Sequence, residues 1–102
     1  MKATYGFRAT IVARPGKGDE LVGLLLTART SEHCTLYLVG RSAGNPDTVY
    51  VTEGWTTKEA HAENFASERA KAFVAQLAPL VADGSRYEDE VPVGGTIRGA
   101  SL

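Results

Sequence analysis

One short segment of the chain concentrates the side chains that could act on a small organic molecule. Glu53 and Trp55 are two residues apart, so a strand presents both on one face. His61 and Asn64 follow at a spacing that places them on one side of a helix, and Phe65 shares that side. If this helix folds over the sheet, the aromatic and polar side chains line one apolar pocket, which suits an aromatic ligand.

The hydrophobic periodicity on either side of this segment predicts the elements that must position it. We expect strands over residues 5–12, 33–41, 48–55 and 86–93, a helix from Asp19, a short helix over 58–67 and a longer one from Glu68. This β-α-β-β-α-β order, with the second helical region split in two, predicts a ferredoxin-like α+β fold. Residues 1–93 are expected to form a single domain and 94–102 a flexible C-terminal tail.

Two packing expectations follow from this order. The apolar stripe of the longer helix is expected to lie in the core: Phe73, Val74, Leu77 and Val81. Helices cover only one face of such a sheet, and the other face must carry apolar side chains whichever way the third strand is turned. Since an open apolar sheet face is a liability, a second copy of the chain is its simplest cover, and we expect a homodimer.

Composition excludes several classes of function. The 102 residues carry a net charge of −1 without a basic cluster, which argues against a nucleic-acid or membrane partner. Cys34 is the only cysteine, so an intrachain disulfide is impossible and a reducing cytoplasm is the expected location. One cysteine and two histidines cannot form a structural zinc site. The pair Gly16 and Gly18 lacks the third glycine of a dinucleotide loop and is interpreted as a turn.

The segment around Trp55 is similar to a known family. Glu53-x-Trp55 ending a strand, a threonine-rich cap and a helix beginning Glu59-Ala60-His61 resemble the antibiotic biosynthesis monooxygenase family of dimeric α+β barrel proteins. The resemblance covers roughly residues 4–93. It implies a dimer in which two sheets pack into a barrel, with one pocket per chain between the sheet and the helices.

The resemblance also implies a choice of activities. Characterised relatives oxidise polycyclic aromatic or quinol substrates with O₂ and without metal or flavin, others degrade haem, and others isomerise small metabolites. Trp55 matches the family's pocket tryptophan, whereas Asn64 stands where many members carry a histidine. His61, one turn earlier, is then the replacement base. The haem-degrading branch uses an asparagine on its first strand, and residues 4–12 contain none, which disfavours haem degradation.

The leading hypothesis is a cofactor-independent monooxygenase acting on an aromatic or quinol-type molecule and O₂. The catalytic residues would be His61, which takes a proton, Asn64, which orients the oxygen species, and Trp55. The residues expected to bind substrate are Phe65, Arg8, Tyr37, Tyr50 and Glu53. The alternatives are a non-catalytic dimeric binding protein and an isomerase or lyase on a small metabolite.

Simpler interpretations of the same residues stay open. Trp55 could be a core residue, and His61 could be a solvated helix residue. Glu53 could belong to a salt bridge in the sheet or the dimer. For Arg8 we favour an ion pair with Glu53 or Asp89 over contact with a substrate.

Overall fold

The computed structural model describes residues 2–98. Its elements, in chain order, are β1 (Tyr5–Val12), α1 (Gly18–Leu25), β2 (Cys34–Arg41), β3 (Thr48–Trp55), α2 (Lys58–Phe65), α3 (Glu68–Leu77), a 3₁₀ turn (Ala78–Leu80) and β4 (Arg86–Glu90). The predicted order of strands and helices is confirmed. Two separate caps explain the split second helical region, since Thr57 accepts from the Ala60 N–H and Ser67 from the Ala70 N–H.

The four strands form one antiparallel sheet in the order β2-β3-β1-β4, as expected for the ferredoxin-like fold. The register aligns the strand residues that matter for the site. Phe7 on β1 pairs with Glu53 on β3 and, on its other side, with Asp89 on β4. Glu53 in turn pairs with Tyr37 on β2. A row of four side chains therefore crosses the helix-covered face of the sheet.

The tightly packed core lies between α1 and the middle of the sheet. Leu21 and Leu25 of α1 are 0% and 3% exposed, and they pack with Ile11 and Val49 of the central strands. Their spacing of four residues puts the two leucines on one face of the helix. These four side chains are almost fully shielded from solvent.

The two helices over the other half of the sheet leave space beneath them. None of the residues of α2 or α3 is buried. The stripe that the sequence assigned to the core is only partly covered: Phe73, Leu77 and Val81 pack at the edge of the core, and Val74 is 44% exposed. That expectation is wrong in one respect, because all four side chains line a cavity instead of filling it.

The predicted last strand is shorter than expected. β4 ends at Glu90, and Pro92, which has no N–H to donate to a neighbouring strand, follows two residues later. Residues 91–98 have no regular secondary structure, and positions 99–102 of the predicted tail lie outside the described residues. No helix within residues 2–98 is long and apolar enough to cross a membrane.

The Pro-Gly loop before α1 is a structural turn. Gly16 has a φ of +79°, which favours glycine, and a Cβ on Gly18 would collide with the Pro46 carbonyl oxygen. The Asp47 carboxylate accepts from the N–H groups of both glycines, at 3.0 and 2.9 Å. The two glycines therefore join α1 to the β2–β3 hairpin, and their N–H groups are already engaged by Asp47.

A matched pair of leucines tests this description of the core. Leu21 is 0% exposed, whereas Leu26, just past the end of α1, is 66% exposed. We expect Leu21→Ala to lower the free energy of unfolding by about 3 kcal/mol, because it leaves a cavity in a closed core. Leu26→Ala is expected to change it by less than about 1 kcal/mol. Urea denaturation measures both, and equal losses would contradict the assignment.

Candidate functional site

A cavity of about 820 Å³ lies between the sheet and the helices α2 and α3. Small side chains on both sides explain the space: Ala9 pairs with Val51 across β1 and β3, and α3 contributes Ala70 and Ala72. Most of the lining is apolar. The ionisable groups among the lining residues are Glu53, His61, Tyr37, Tyr87, Arg29 and Arg69.

His61 lies within a group of aromatic rings. Its imidazole centroid is 5.1 Å from the ring of Tyr5, 4.9 Å from Phe7 and 5.3 Å from Trp55, which it meets edge-on. Phe65, one helical turn along, stacks on it at 6.3 Å. Helix α2 therefore directs His61 at the sheet, where its side chain is half-buried.

This environment favours the neutral imidazole. Burial lowers the pKa of His61, and the carboxylate of Asp89 opposes that shift only in part. Asp89 is itself engaged, since Tyr5 Oη donates to it at 2.7 Å and the Lys58 ammonium lies 3.7 Å away. The hydrogen bond from Tyr5 holds the pKa of Asp89 below its usual range. A neutral imidazole facing an apolar cavity can accept a proton.

Glu53 is the second notable group of the cavity. Trp55 Nε1 donates to Glu53 Oε1 at 2.8 Å, and the indole is only 1% exposed. Burial raises the pKa of Glu53, and the hydrogen bond from Trp55 offsets this only in part. Burial raises the pKa values of the neighbouring Tyr5, Cys34 and Tyr37, and a carboxylate at Glu53 adds a smaller effect in the same direction.

Other predicted site residues are also brought to the cavity. Tyr37, Asn64 and Phe65 line it together with His61 and Glu53. The Tyr37 hydroxyl is already engaged, because it donates to the Leu25 carbonyl oxygen at 2.8 Å, and burial raises its pKa to about 12. The ring of Phe65 is 61% exposed, so it lies at the edge of the cavity.

Three predicted site residues lie elsewhere. Trp55 is not among the lining residues, and its burial leaves no ring face for a ligand to stack on, so the interpretation as a buried residue is the better one. Arg8 and Tyr50 belong to the opposite face of the sheet, since they alternate with Ala9 and Val51. Neither can reach the cavity.

The ion pair predicted for Arg8 is also wrong. Its guanidinium lies 3.6 Å from Glu90, not near Glu53 or Asp89. The strand register explains this, because Glu53 and Asp89 both pair with Phe7 and share its face. Glu53 likewise forms no ion pair within residues 2–98, so the salt-bridge interpretation finds no support inside the chain.

The sequence did not identify every residue of the site. Tyr5 and Asp89, which set the environment of His61, are separated by 84 positions and meet only through the β1–β4 pairing. Phe7 and Tyr87 were missed for the same reason. Alternation along β1 indicated that Tyr5 and Phe7 share a face, but no local signal connects them to β4. Across residues 2–98, no cluster of three His, Cys, Asp or Glu side chains could hold a metal ion.

The pH dependence of stability tests the environment of Glu53. Below the usual carboxyl pKa, Glu53 is protonated in both the folded and the unfolded chain. As the pH rises through the raised folded pKa, ionising this group costs folding free energy. We therefore expect Glu53→Gln to melt at a higher temperature than the wild type, by a margin that grows with pH.

Thermal melts from about pH 4 to pH 8 span this change for a buried carboxyl. Glu63→Gln is the matched control, because Glu63 is exposed on α2. Its margin over the wild type should not grow with pH. If the Glu53→Gln and wild-type curves stay parallel, the carboxyl is not destabilised by burial.

Comparison with known proteins agrees with the fold. The family model for antibiotic biosynthesis monooxygenase matches residues 4–76. A solved structure of a protein named for this family, from Chloroflexus aurantiacus, is 30% identical, with a TM-score of 0.82 over 95% of this chain and 100% of that chain. Two more proteins named for it share the fold.

The protein from Deinococcus radiodurans is 24% identical, with a TM-score of 0.76 over 93% of this chain and 99% of that one. The protein from Caulobacter crescentus is 21% identical, with a TM-score of 0.79 over 91% and 92%. No curated protein matches the sequence. The family match spans well over half of the chain, and the protein belongs to the antibiotic biosynthesis monooxygenase family.

Proposed function

We propose that this protein is a cofactor-independent monooxygenase that oxidises an aromatic or quinol-type small molecule with O₂. The observation that carries the proposal is the position of His61, whose imidazole lies among aromatic rings and lines a large apolar cavity. Family membership supports the class of reaction. The cavity supports the class of substrate.

The size and lining of the cavity suit a fused-ring aromatic molecule. Its volume of about 820 Å³ falls within the range of sites for small organic ligands, roughly 300–1,000 Å³. Phe7, Phe65, Phe73 and Tyr87 offer ring faces and edges to a flat ligand. Few polar groups interrupt this surface, so a ligand of several rings and one or two oxygens would match it.

The chemistry needs a base and a dry site. His61 would take a proton from an acidic CH₂ beside the rings, as in the keto tautomer of a phenol or quinol. The resulting carbanion reduces O₂, and a C–O bond forms to give a peroxide. Loss of the second carbon-bound proton then breaks the O–O bond. The balance is R₂CH₂ + O₂ → R₂C=O + H₂O, in which the substrate supplies all four electrons.

The rest of the site would protect the carbanion. Burial beneath α2 and α3 limits water, which would otherwise return the proton to carbon. Asn64 also lines the cavity, three residues after His61, and its amide could orient the oxygen species. These roles need no group beyond the chain, the substrate and O₂.

A homodimer completes the proposal. The sheet face opposite the cavity carries Leu36, Leu38, Tyr50 and Thr52, with Leu38 37% and Tyr50 42% exposed. A second sheet packed on this face would cover the apolar side chains and stiffen the floor of each cavity. The ion pair of Arg8 and Glu90 lies at the edge of this surface.

The two histidines provide a matched test of the base. We expect His61→Ala to lower the rate of O₂ consumption at least about 100-fold, since general-base catalysis contributes that much. His33 is exposed and lies outside the cavity, so His33→Ala should keep the wild-type rate. An oxygen electrode with a dihydroxyanthracene or a reduced naphthoquinone as substrate measures both variants.

Three results would count against the proposal. Wild-type protein that consumes no O₂ with either substrate, yet binds them, is a binding protein. An active His61→Ala variant would show that the base is another group. Coloured purified protein would contradict the claim that no cofactor is needed.

Charge on the outer sheet face tests the dimer. Leu38→Glu places a carboxylate in the proposed interface, and burying it unpaired costs at least about 2 kcal/mol per chain. We expect the variant to sediment as a monomer at micromolar concentration, where the wild type is a dimer. Leu26→Glu, on an exposed position of the helix side, is the control and should stay dimeric. A wild-type monomer would overturn the proposal.

A further inference from the structure

We propose that Glu53 is the specificity-determining group of the cavity: as a neutral carboxylic acid it donates a hydrogen bond to a carbonyl or phenolate oxygen of the ligand. Trp55 is the positioning residue that fixes this donor. The inference rests on the proposed function in taking the ligand to be an oxygen-bearing aromatic molecule. It does not require turnover.

The position of Glu53 supports contact with a ligand. It lies on the central strand β3, between Tyr37 and Phe7 of the neighbouring strands, and faces the cavity. A ligand lying on the sheet would therefore meet this carboxyl among ring faces. Polar groups in such surroundings determine which ligand atoms are accepted.

The hydrogen bonding of Glu53 leaves one oxygen free for the ligand. An indole N–H can only donate, so Glu53 Oε1, 2.8 Å from Trp55 Nε1, is an acceptor. In the neutral acid the proton then belongs on Oε2. Within residues 2–98 no donor reaches Oε2, and no fully buried side-chain oxygen lacks a partner, so Oε2 is open to the cavity.

The charges around Glu53 favour the neutral acid. No lysine, arginine or histidine of the described chain forms an ion pair with it. The neighbouring ionisable groups are the phenols of Tyr5 and Tyr37 and the thiol of Cys34, none of which supplies a positive charge. Burial raises the pKa of the carboxyl in the same direction.

The hydroxyls of the two tyrosines beside Glu53 are already engaged. The hydroxyl of Tyr37 is taken by the Leu25 carbonyl oxygen, and that of Tyr5 by Asp89. His61 reaches the cavity from the helix side, and burial lowers its pKa. Glu53 therefore supplies the hydrogen bond that an aromatic hydrocarbon cannot use but a quinone or a phenolate can.

A pair of water-soluble probes isolates this hydrogen bond. Anthraquinone-2-sulfonate and anthracene-2-sulfonate share the three rings and the sulfonate, and only the first has ring carbonyl oxygens. Neither is a substrate for the proposed oxidation. Calorimetric titration of the full chain gives the ratio of their affinities, which is the readout for every variant.

We expect the wild type to prefer the anthraquinone. Glu53→Leu should lose about tenfold in affinity for it, as expected for a buried hydrogen bond, and keep its affinity for the anthracene. Glu53→Gln should retain the preference, because its amide accepts from Trp55 and still donates an N–H. Trp55→Phe should reduce the preference without changing anthracene binding, since the donor is then unrestrained.

Three results would overturn the inference: a wild type with no preference, a Glu53→Leu variant that keeps the preference, or a Glu53→Gln variant that loses as much as Glu53→Leu. Failure of the proposed function is distinct. Protein that shows the preference but consumes no O₂ with a quinol keeps the Glu53 assignment and loses the oxygenase. If the wild type consumes O₂ but Glu53→Leu keeps the preference, the oxygenase proposal stands and the Glu53 assignment fails.

Discussion

A single hydrogen bond organises the floor of the cavity, between the Trp55 indole and the Glu53 carboxyl. Alternation along β3 directs both side chains to the helix-covered face, with Val49 and Val51 as the apolar part of the same row. The Trp55 indole is buried at the end of the sheet, and its single N–H donates to one oxygen of the Glu53 carboxyl. Glu53 is therefore fixed at the boundary between packed core and open cavity, and the polarity of the site follows from its protonation.

The tightly packed core and the cavity lie in different halves of the domain. Helix α1 closes one half of the sheet with Leu21 and Leu25, and these contacts supply the tightly packed core. The helices α2 and α3 have their own N-terminal caps, and none of their residues is buried. They therefore cover a cavity without contributing fully buried side chains to that core. In the second half, His61 alone inserts among the rings of the sheet, where burial favours the neutral base.

Sequence reasoning reached the fold because its signals are local. The period-2 strands, the Thr57 cap and the Glu53-x-Trp55 spacing each act within a few residues. Helical spacing also identified His61, Asn64 and Phe65 as neighbours. Sequence reasoning failed for contacts that depend on the pairing of distant strands. The hydrogen bond from Tyr5 to Asp89 depends on the β1–β4 register, and so does the ion pair of Arg8 and Glu90. Periodicity cannot distinguish a helix that fills a core from one that lines a cavity, which is why the α3 stripe was misassigned.

A crystal structure of the protein with anthraquinone-2-sulfonate tests the central claim most directly, that the Glu53 side of the cavity is a ligand site with a neutral donor. We expect the rings to lie between the sheet and α3, with one carbonyl oxygen at a hydrogen-bond distance of about 2.7 Å from Glu53 Oε2. Trp55 should still donate to Oε1. A ligand bound on the outer sheet face, or bound in the cavity with its carbonyl oxygens turned away from Glu53, would contradict it.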